Sequence, residues 1–155
     1  KEMVTLCQKA DIIVPNITEA CFLLNRPYLE SYTKADIEAL LNDLANLGIP
    51  QVVLTGVKFK DNELGVASFT KATGEINYYF REEVPYSFHG TGDIYASCFF
   101  GALMNDFNLQ ESMKIAVDFT VDAILKTVED RNEHWYGVHF ESVIPNLIQA
   151  IAKNK

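Results

Sequence analysis

The sequence has few cysteines, few basic residues and no long apolar run, and each scarcity disfavours a class of protein. Its three cysteines, Cys7, Cys21 and Cys98, lack metal-ligand spacing, so we expect reduced thiols in apolar surroundings. Lys and Arg number 13 against 21 Asp and Glu, a net charge of −8, whereas a nucleic-acid groove needs a basic face. No apolar run approaches the roughly 20 residues that cross a bilayer. We therefore expect a cytoplasmic protein that binds neither nucleic acid nor membranes.

Predicted strands and helices alternate along the 155 residues, which indicates an α/β fold. The first ten residues have the spacing of the end of an amphipathic helix. Thr33 is a predicted helix cap, and Gly48 ends the same helix. The predicted strands are 11–14, 51–55, 64–69 and 76–80, the last two forming a hairpin, and the predicted helices are 18–24, 34–47, 108–128 and 142–152.

A turn with two glycines precedes an apolar helix. His89-Gly90-Thr91-Gly92-Asp93 is followed directly by an apolar run from Ile94 to Leu103. The glycines permit a tight turn with bare amides where the helix begins, and a helix start favours an anion. If that anion is a phosphoryl group in transfer, Asp93 can take the proton from an attacking alcohol. The alternative is that Asp93 only caps the helix.

A second polar pair follows the first predicted strand. Asn16 and Glu19 come directly after Pro15, at the carboxyl end of that strand, which is the edge of an open α/β sheet where ligands usually bind. An amide oxygen and a carboxylate suit Mg²⁺. The same spacing is also typical of a capping box, and both interpretations hold if each side chain uses only part of its surface for the cap.

Together these segments resemble the ribokinase-like superfamily of small-molecule kinases and, within it, the pyridoxal (pyridoxine, pyridoxamine) kinases of vitamin B6 salvage. The resemblance is carried by Pro-Asn-x-x-Glu at 15–19, Gly-Thr-Gly-Asp at 90–93, the strand 52–55 and the segment 137–141. It spans nearly the whole chain. It implies a three-layer α/β sheet with flanking helices, ATP-dependent phosphorylation of the hydroxymethyl group of a B6 vitamer, and a homodimer in the intact protein.

The resemblance also implies roles for single residues. Asp93 would be the catalytic base, and Asn16 with Glu19 would bind Mg²⁺ and organise the phosphates of ATP. The anion hole would consist of Gly90, Thr91 and Gly92. On the nucleotide side the resemblance points to Thr55, Gly56 and Phe88.

Several weaker candidates stay open beside these. Arg81, just after the second hairpin strand, is a candidate for ATP contact by its position. Lys58 and Lys60 are most simply surface residues, with phosphate contact as the alternative. His89 could line the nucleotide site or only make local hydrogen bonds. For Trp135 and Tyr136 the alternatives are an adenine lid and packing at a surface or subunit contact.

Two features qualify the resemblance. Hydroxymethylpyrimidine kinases have a similar loop but typically carry Cys where this chain has Asp93, and the carboxylate favours the B6 branch because it is the better proton acceptor near neutral pH. Family members also carry several further βα units before the segment that matches residues 11–19. We therefore expect residues 1–155 to be the C-terminal, nucleotide-binding half of one kinase domain. Alternatives are a hydroxymethylpyrimidine or sugar kinase, or a catalytically inert nucleotide-binding fragment.

Overall fold

The computed structural model describes residues 2–129 and 137–152. The chain divides into two compact units, residues 1–80 and 81–155, which are described separately. The predictions for Trp135 and Tyr136 concern residues outside the described ranges. No helix within those ranges is long and apolar enough to cross a bilayer.

A four-stranded sheet with strand order β1-β2-β3-β4 organises the first unit. Its strands are β1 (Ile12–Ile13), β2 (Gln51–Val57), β3 (Glu63–Thr70) and β4 (Glu75–Glu82), the last of which extends two residues into the second unit. β1 and β2 are parallel, with Ile13 opposite Val52. β2 and β3 are antiparallel. A four-residue connection joins β3 to β4, which confirms the predicted hairpin.

The helices of the first unit are α1 (Glu2–Cys7), α2 (Ile17–Leu23) and α3 (Lys34–Asn46). α3 follows the predicted helix 34–47 closely, and its apolar residues at helical spacing, Ile37, Leu40, Leu41 and Leu44, are buried. They form one core with Val52, Leu54 and Val57 of β2. In α1 only the end contacts this core, through Cys7, while Met3 and Leu6 stay exposed. The predicted α/β architecture is thus confirmed.

Apart from the end of β4, the regular elements described in the second unit are helices. They are α4 (Thr91–Leu103), α5 (Leu109–Glu129) and α6 (Ile144–Ala152), with a 3-10 turn at Glu141–Val143 before α6. α4 packs on α5 through its buried face, which includes Tyr95, Cys98 and Phe99. All three cysteines of the chain are free thiols, and burial raises the pKa of Cys98 to about 11. Cys98 is therefore a packing residue.

Hydrogen-bonded capping boxes start three of the helices, at residues that the sequence marks. Asn16 caps α2 and Thr33 caps α3. The third box joins Asn108 and Glu111 at the start of α5, where the Glu111 amide donates to Asn108 Oδ1 at 2.9 Å and the Asn108 amide to Glu111 Oε2 at 3.1 Å. In each box, side-chain oxygens accept hydrogen bonds from amides at the helix start that have no partner within the helix. Local hydrogen bonds therefore fix each predicted start.

Candidate functional site

The polar pair at the end of β1 is held in a fixed geometry by the capping box of α2. The Glu19 amide donates to Asn16 Oδ1 at 2.8 Å, and the Asn16 amide donates to Glu19 Oε2 at 2.9 Å. The cap predicted as one alternative is therefore present. It uses one carboxylate oxygen of Glu19, and both side chains are exposed. The capping bonds therefore leave Glu19 Oε1 for a further ligand.

Thr55 lies beside this pair. Its amide donates to the Pro15 carbonyl at 2.9 Å, and residues 16 and 55 form an isolated parallel bridge. Thr55 Oγ1 also lies 3.5 Å from the Pro15 oxygen. Asn16, Glu19 and Thr55, three of the residues that the sequence assigns to the site, are thus brought together at the carboxyl ends of β1 and β2. This is the edge of a parallel sheet where ligands usually bind.

The start of α4, in the second unit, holds the other main group of residues that the sequence assigns to the site. Gly90 lies in the left-handed region, with φ of 87°, and no side chain caps the helix. Thr91 Oγ1 donates to the Phe88 carbonyl at 3.3 Å and so stabilises the turn before the helix. Gly92 and Asp93 are exposed in the first helical turn. A bare helix start is a ready-made anion site, and an exposed carboxylate next to it can accept a proton.

The segment 137–141, which is part of the family resemblance, lies beside this loop. His89 forms an isolated parallel bridge with Gly137. Two residues later, the amide of His139 donates to Thr127 Oγ1 of α5 at 2.8 Å. The segments at 89–93 and 137–141 are therefore neighbours in the second unit, and α5 supports the later one.

Arg81, predicted as an ATP contact, is engaged by α5. Its guanidinium pairs with Asp118 at 2.5 Å and lies 4.0 Å from Asp122. Asp122 also accepts a hydrogen bond from Asn146 of α6 at 3.2 Å. The sequence analysis missed these acidic partners, although Asp118 and Asp122 stand four residues apart and so share one face of a helix. In the structure Arg81 thus joins β4 to α5, and ATP contact stays a prediction.

The surface cation Lys60 and the predicted magnesium site are the remaining candidates. Lys60 pairs with Glu63 at 3.1 Å, as expected for a surface residue. Within the described ranges, no three His, Cys, Asp or Glu side chains cluster as a metal site. A cation at Glu19 would therefore draw most of its ligands from water and phosphate, which is the usual state of protein-bound Mg²⁺.

Comparisons with known proteins agree on one family. A family model for phosphomethylpyrimidine kinase matches residues 1–137. A Bacteroides thetaiotaomicron protein provisionally assigned as a phosphomethylpyrimidine kinase is similar in two crystal forms, at 29% identity and TM-scores of 0.85 and 0.84. The alignments cover 94% of this chain and 50% and 52% of that one, and one form is a structure with pyridoxal.

A pyridoxal kinase from Lactobacillus plantarum is also similar, with a TM-score of 0.82 and 28% identity over 98% of this chain and 53% of that one. The chain therefore spans about half the length of the solved structures it matches. Among curated protein sequences there is no significant match.

Proposed function

We propose, because the chain belongs to the phosphomethylpyrimidine kinase family, that it is the nucleotide-binding part of a small-molecule kinase. In this proposal it binds the phosphates of ATP with Mg²⁺, and the γ-phosphoryl group passes to a hydroxymethyl group on a heteroaromatic ring. The chain would be the C-terminal half of a ribokinase-like domain. Most of the alcohol's pocket would belong to the part of the fold that the chain does not span.

The start of α4 is the observation that carries this proposal. Gly90 turns the backbone through a left-handed conformation, so that the first amides of α4 follow it with no side-chain cap. Asp93 lies in that same first turn and is exposed. Bare amides stabilise negative charge on a phosphoryl group, and the carboxylate accepts a proton close by.

The proposed chemistry is a single in-line transfer. The Asp93 carboxylate takes the proton from the attacking hydroxyl as the alcohol oxygen bonds to the γ-phosphorus. The bond between that phosphorus and the β–γ bridging oxygen breaks, and ADP leaves with the bond's electron pair. The amides of Thr91 and Gly92 donate to the transferring oxygens. No covalent enzyme intermediate is required, since positioning and charge stabilisation supply most of the rate.

Asn16 and Glu19 fit a site for Mg²⁺ between protein and phosphate. Glu19 keeps Oε1 outside the capping bonds, and hard carboxylate oxygens are suitable ligands for this ion. The bound ion would neutralise phosphate charge. The capping box fixes the Glu19 side chain before any ligand binds, and Thr55 stands beside it at the end of β2.

Two observations favour a B6 vitamer as the alcohol. Asp93 is a carboxylate, and the similar Bacteroides structure contains pyridoxal. The second candidate is hydroxymethylpyrimidine, which the family description itself favours. A panel of pyridoxal, pyridoxine, pyridoxamine, hydroxymethylpyrimidine and ribose, assayed for phosphorylated product with the intact kinase domain, decides between them. Faster turnover of the pyrimidine would replace the B6 assignment.

The substitution Asp93→Asn tests the proposed base. In the intact kinase domain we expect turnover to fall by about 10³-fold, because general-base catalysis contributes that order of rate, while Mg·AMP-PCP affinity measured by calorimetry stays within about twofold. Asp61→Asn, at an exposed loop carboxylate, is the matched control and should leave both quantities unchanged. Retention of most of the rate by Asp93→Asn would remove Asp93 from the role of base. Failure of the unmodified chain to bind Mg·AMP-PCP would refute the proposed function itself.

A further inference from the structure

An extra residue interrupts β2 directly after Thr55. Thr55 pairs with Val66 of β3, and Val57 pairs with Gly65, which directly precedes Val66 in the chain. Gly56 is therefore an extra residue without a partner in β3. It lies between two residues of β2 that pair with consecutive residues of β3. This arrangement is a β-bulge, with glycine at the extra position.

After the bulge, the residues of β2 lie on the opposite faces of the sheet from those that regular alternation predicts. Val52 and Leu54 belong to the core with α2 and α3, and regular alternation would place residue 56 on that face. Instead Val57 joins that core and is fully buried. The burial of Val57 thus holds the bulge from one side, and the pairing of Thr55 with the 15–16 segment holds it from the other.

The bulge depends on the residue being glycine. Gly56 has φ of 77°, in the left-handed region that other L-residues rarely adopt. A Cβ added there would meet no heavy atom within 4 Å. Substitution at this position would therefore strain the backbone without creating a clash, so its effect reports on the bulge alone.

We infer that Gly56 is a positioning residue of the nucleotide site. Its bulge lets Val57 enter the core while Thr55 keeps the register that places it beside Asn16, and through the capping box beside Glu19. The inference rests on the proposed function for its ligand. Gly56 has no side chain, so it acts through the placement of its neighbours.

Gly74 provides a matched control at the other end of the same sheet. It has φ of 70° and open space around a Cβ, so alanine is strained there to a similar degree. Gly74 lies in the turn between β3 and β4, and Lys71 of that turn donates its amide to the Pro50 carbonyl, just before β2. Thr55 lies four residues beyond Gln51, the first residue of β2, which is about 13 Å farther along the strand.

The experiment compares Gly56→Ala, Gly56→Asn and Gly74→Ala in the whole chain. One readout is hydrogen exchange of the Thr55 amide, which bonds to Pro15, and the other is Mg·AMP-PCP affinity. We expect Gly56→Ala to accelerate exchange and to weaken affinity, each by roughly tenfold, the order of the left-handed penalty. Gly56→Asn should restore most of the slow exchange at Thr55 and most of the affinity, since Asn tolerates this conformation. Gly74→Ala should change neither.

Equal effects of Gly56→Ala and Gly74→Ala on both readouts would overturn the inference, and so would unchanged exchange at Thr55 in Gly56→Ala. If the unmodified chain does not bind Mg·AMP-PCP, the proposed function fails. Exchange at Thr55 then still decides whether Gly56 holds Thr55 in its pairing with the 15–16 segment.

Discussion

The substitution Glu19→Gln separates the structural and the proposed functional role of Glu19. Glutamine keeps a side-chain oxygen that can accept from the Asn16 amide, so the 2.9 Å bond that closes the capping box can persist. What the substitution removes is the negative charge. At a helix start that charge is worth about 0.5 kcal/mol, which for a chain of this size corresponds to a fall in Tm of about 1–2 °C.

The effect on Mg²⁺ should be much larger than the effect on stability. A neutral amide is a poor substitute for a carboxylate as a ligand of a hard cation. We expect Glu19→Gln to require about tenfold more Mg²⁺ for half-maximal binding of AMP-PCP, an order-of-magnitude expectation for losing one charged ligand. The assay is calorimetric titration of AMP-PCP at a series of Mg²⁺ concentrations, with Tm measured on the same samples.

The chain contains its own matched control for this prediction. Asn108 and Glu111 form the same Asn-x-x-Glu capping box at α5, with bonds of 2.9 and 3.1 Å. Glu111→Gln should lower Tm by a similar amount and leave the Mg²⁺ dependence unchanged. Identical Mg²⁺ titrations for Glu19→Gln and the unmodified chain would refute the reasoning and leave Glu19 as a helix cap only.

The paired capping boxes also show how far the sequence predicts this site. Asn16-x-x-Glu19 and Asn108-x-x-Glu111 predict helix starts, and both are confirmed by reciprocal hydrogen bonds. Because the two motifs fold alike, the motif alone cannot identify a metal ligand. The difference is positional. Asn16 follows a parallel strand and pairs with Thr55, 39 residues away, a contact that only the folded sheet creates.

The end of β2 shows a second limit of sequence reasoning. The pattern predicts a strand that stops at Thr55, whereas β2 continues to Val57 through the bulge at Gly56. A glycine after a run of strand-forming residues is typical both of a strand end and of a bulge. The apolar Val57 favours the bulge only once its burial in the core is known, because its face depends on whether the register shifts.

Arg81 shows a third limit, set by distance along the chain. Its position after the hairpin suggests a contact with a phosphate, but the structure pairs it with Asp118, 37 residues later. Such a pairing depends on how the second unit folds, which no local pattern encodes. Local hydrogen bonding is thus predictable here, and partners that are remote in sequence are not.

Two further predictions concern stability. Hydrogen bonds from Thr33 lower the pKa of Asp36. The cap of α3 should therefore stabilise the fold above about pH 4, and this contribution should be lost as pH falls through the lowered pKa. The Tm difference between the unmodified chain and Asp36→Asn should shrink from pH 6 to pH 3. Tyr78 donates to Glu38 Oε1 at 2.9 Å, and burial together with this bond raises the pKa of Tyr78 to about 12. The bond should stabilise the fold fully below pH 10, and less as pH rises towards 12. We expect Tyr78→Phe to cost about 1 kcal/mol, a fall in Tm of about 2–4 °C, because the ring packing survives and only the bond is lost. Tyr28→Phe, at an exposed ring, is the control and should leave Tm unchanged. Equal Tm values for the two variants at neutral pH would show that the bond to Glu38 contributes nothing to stability.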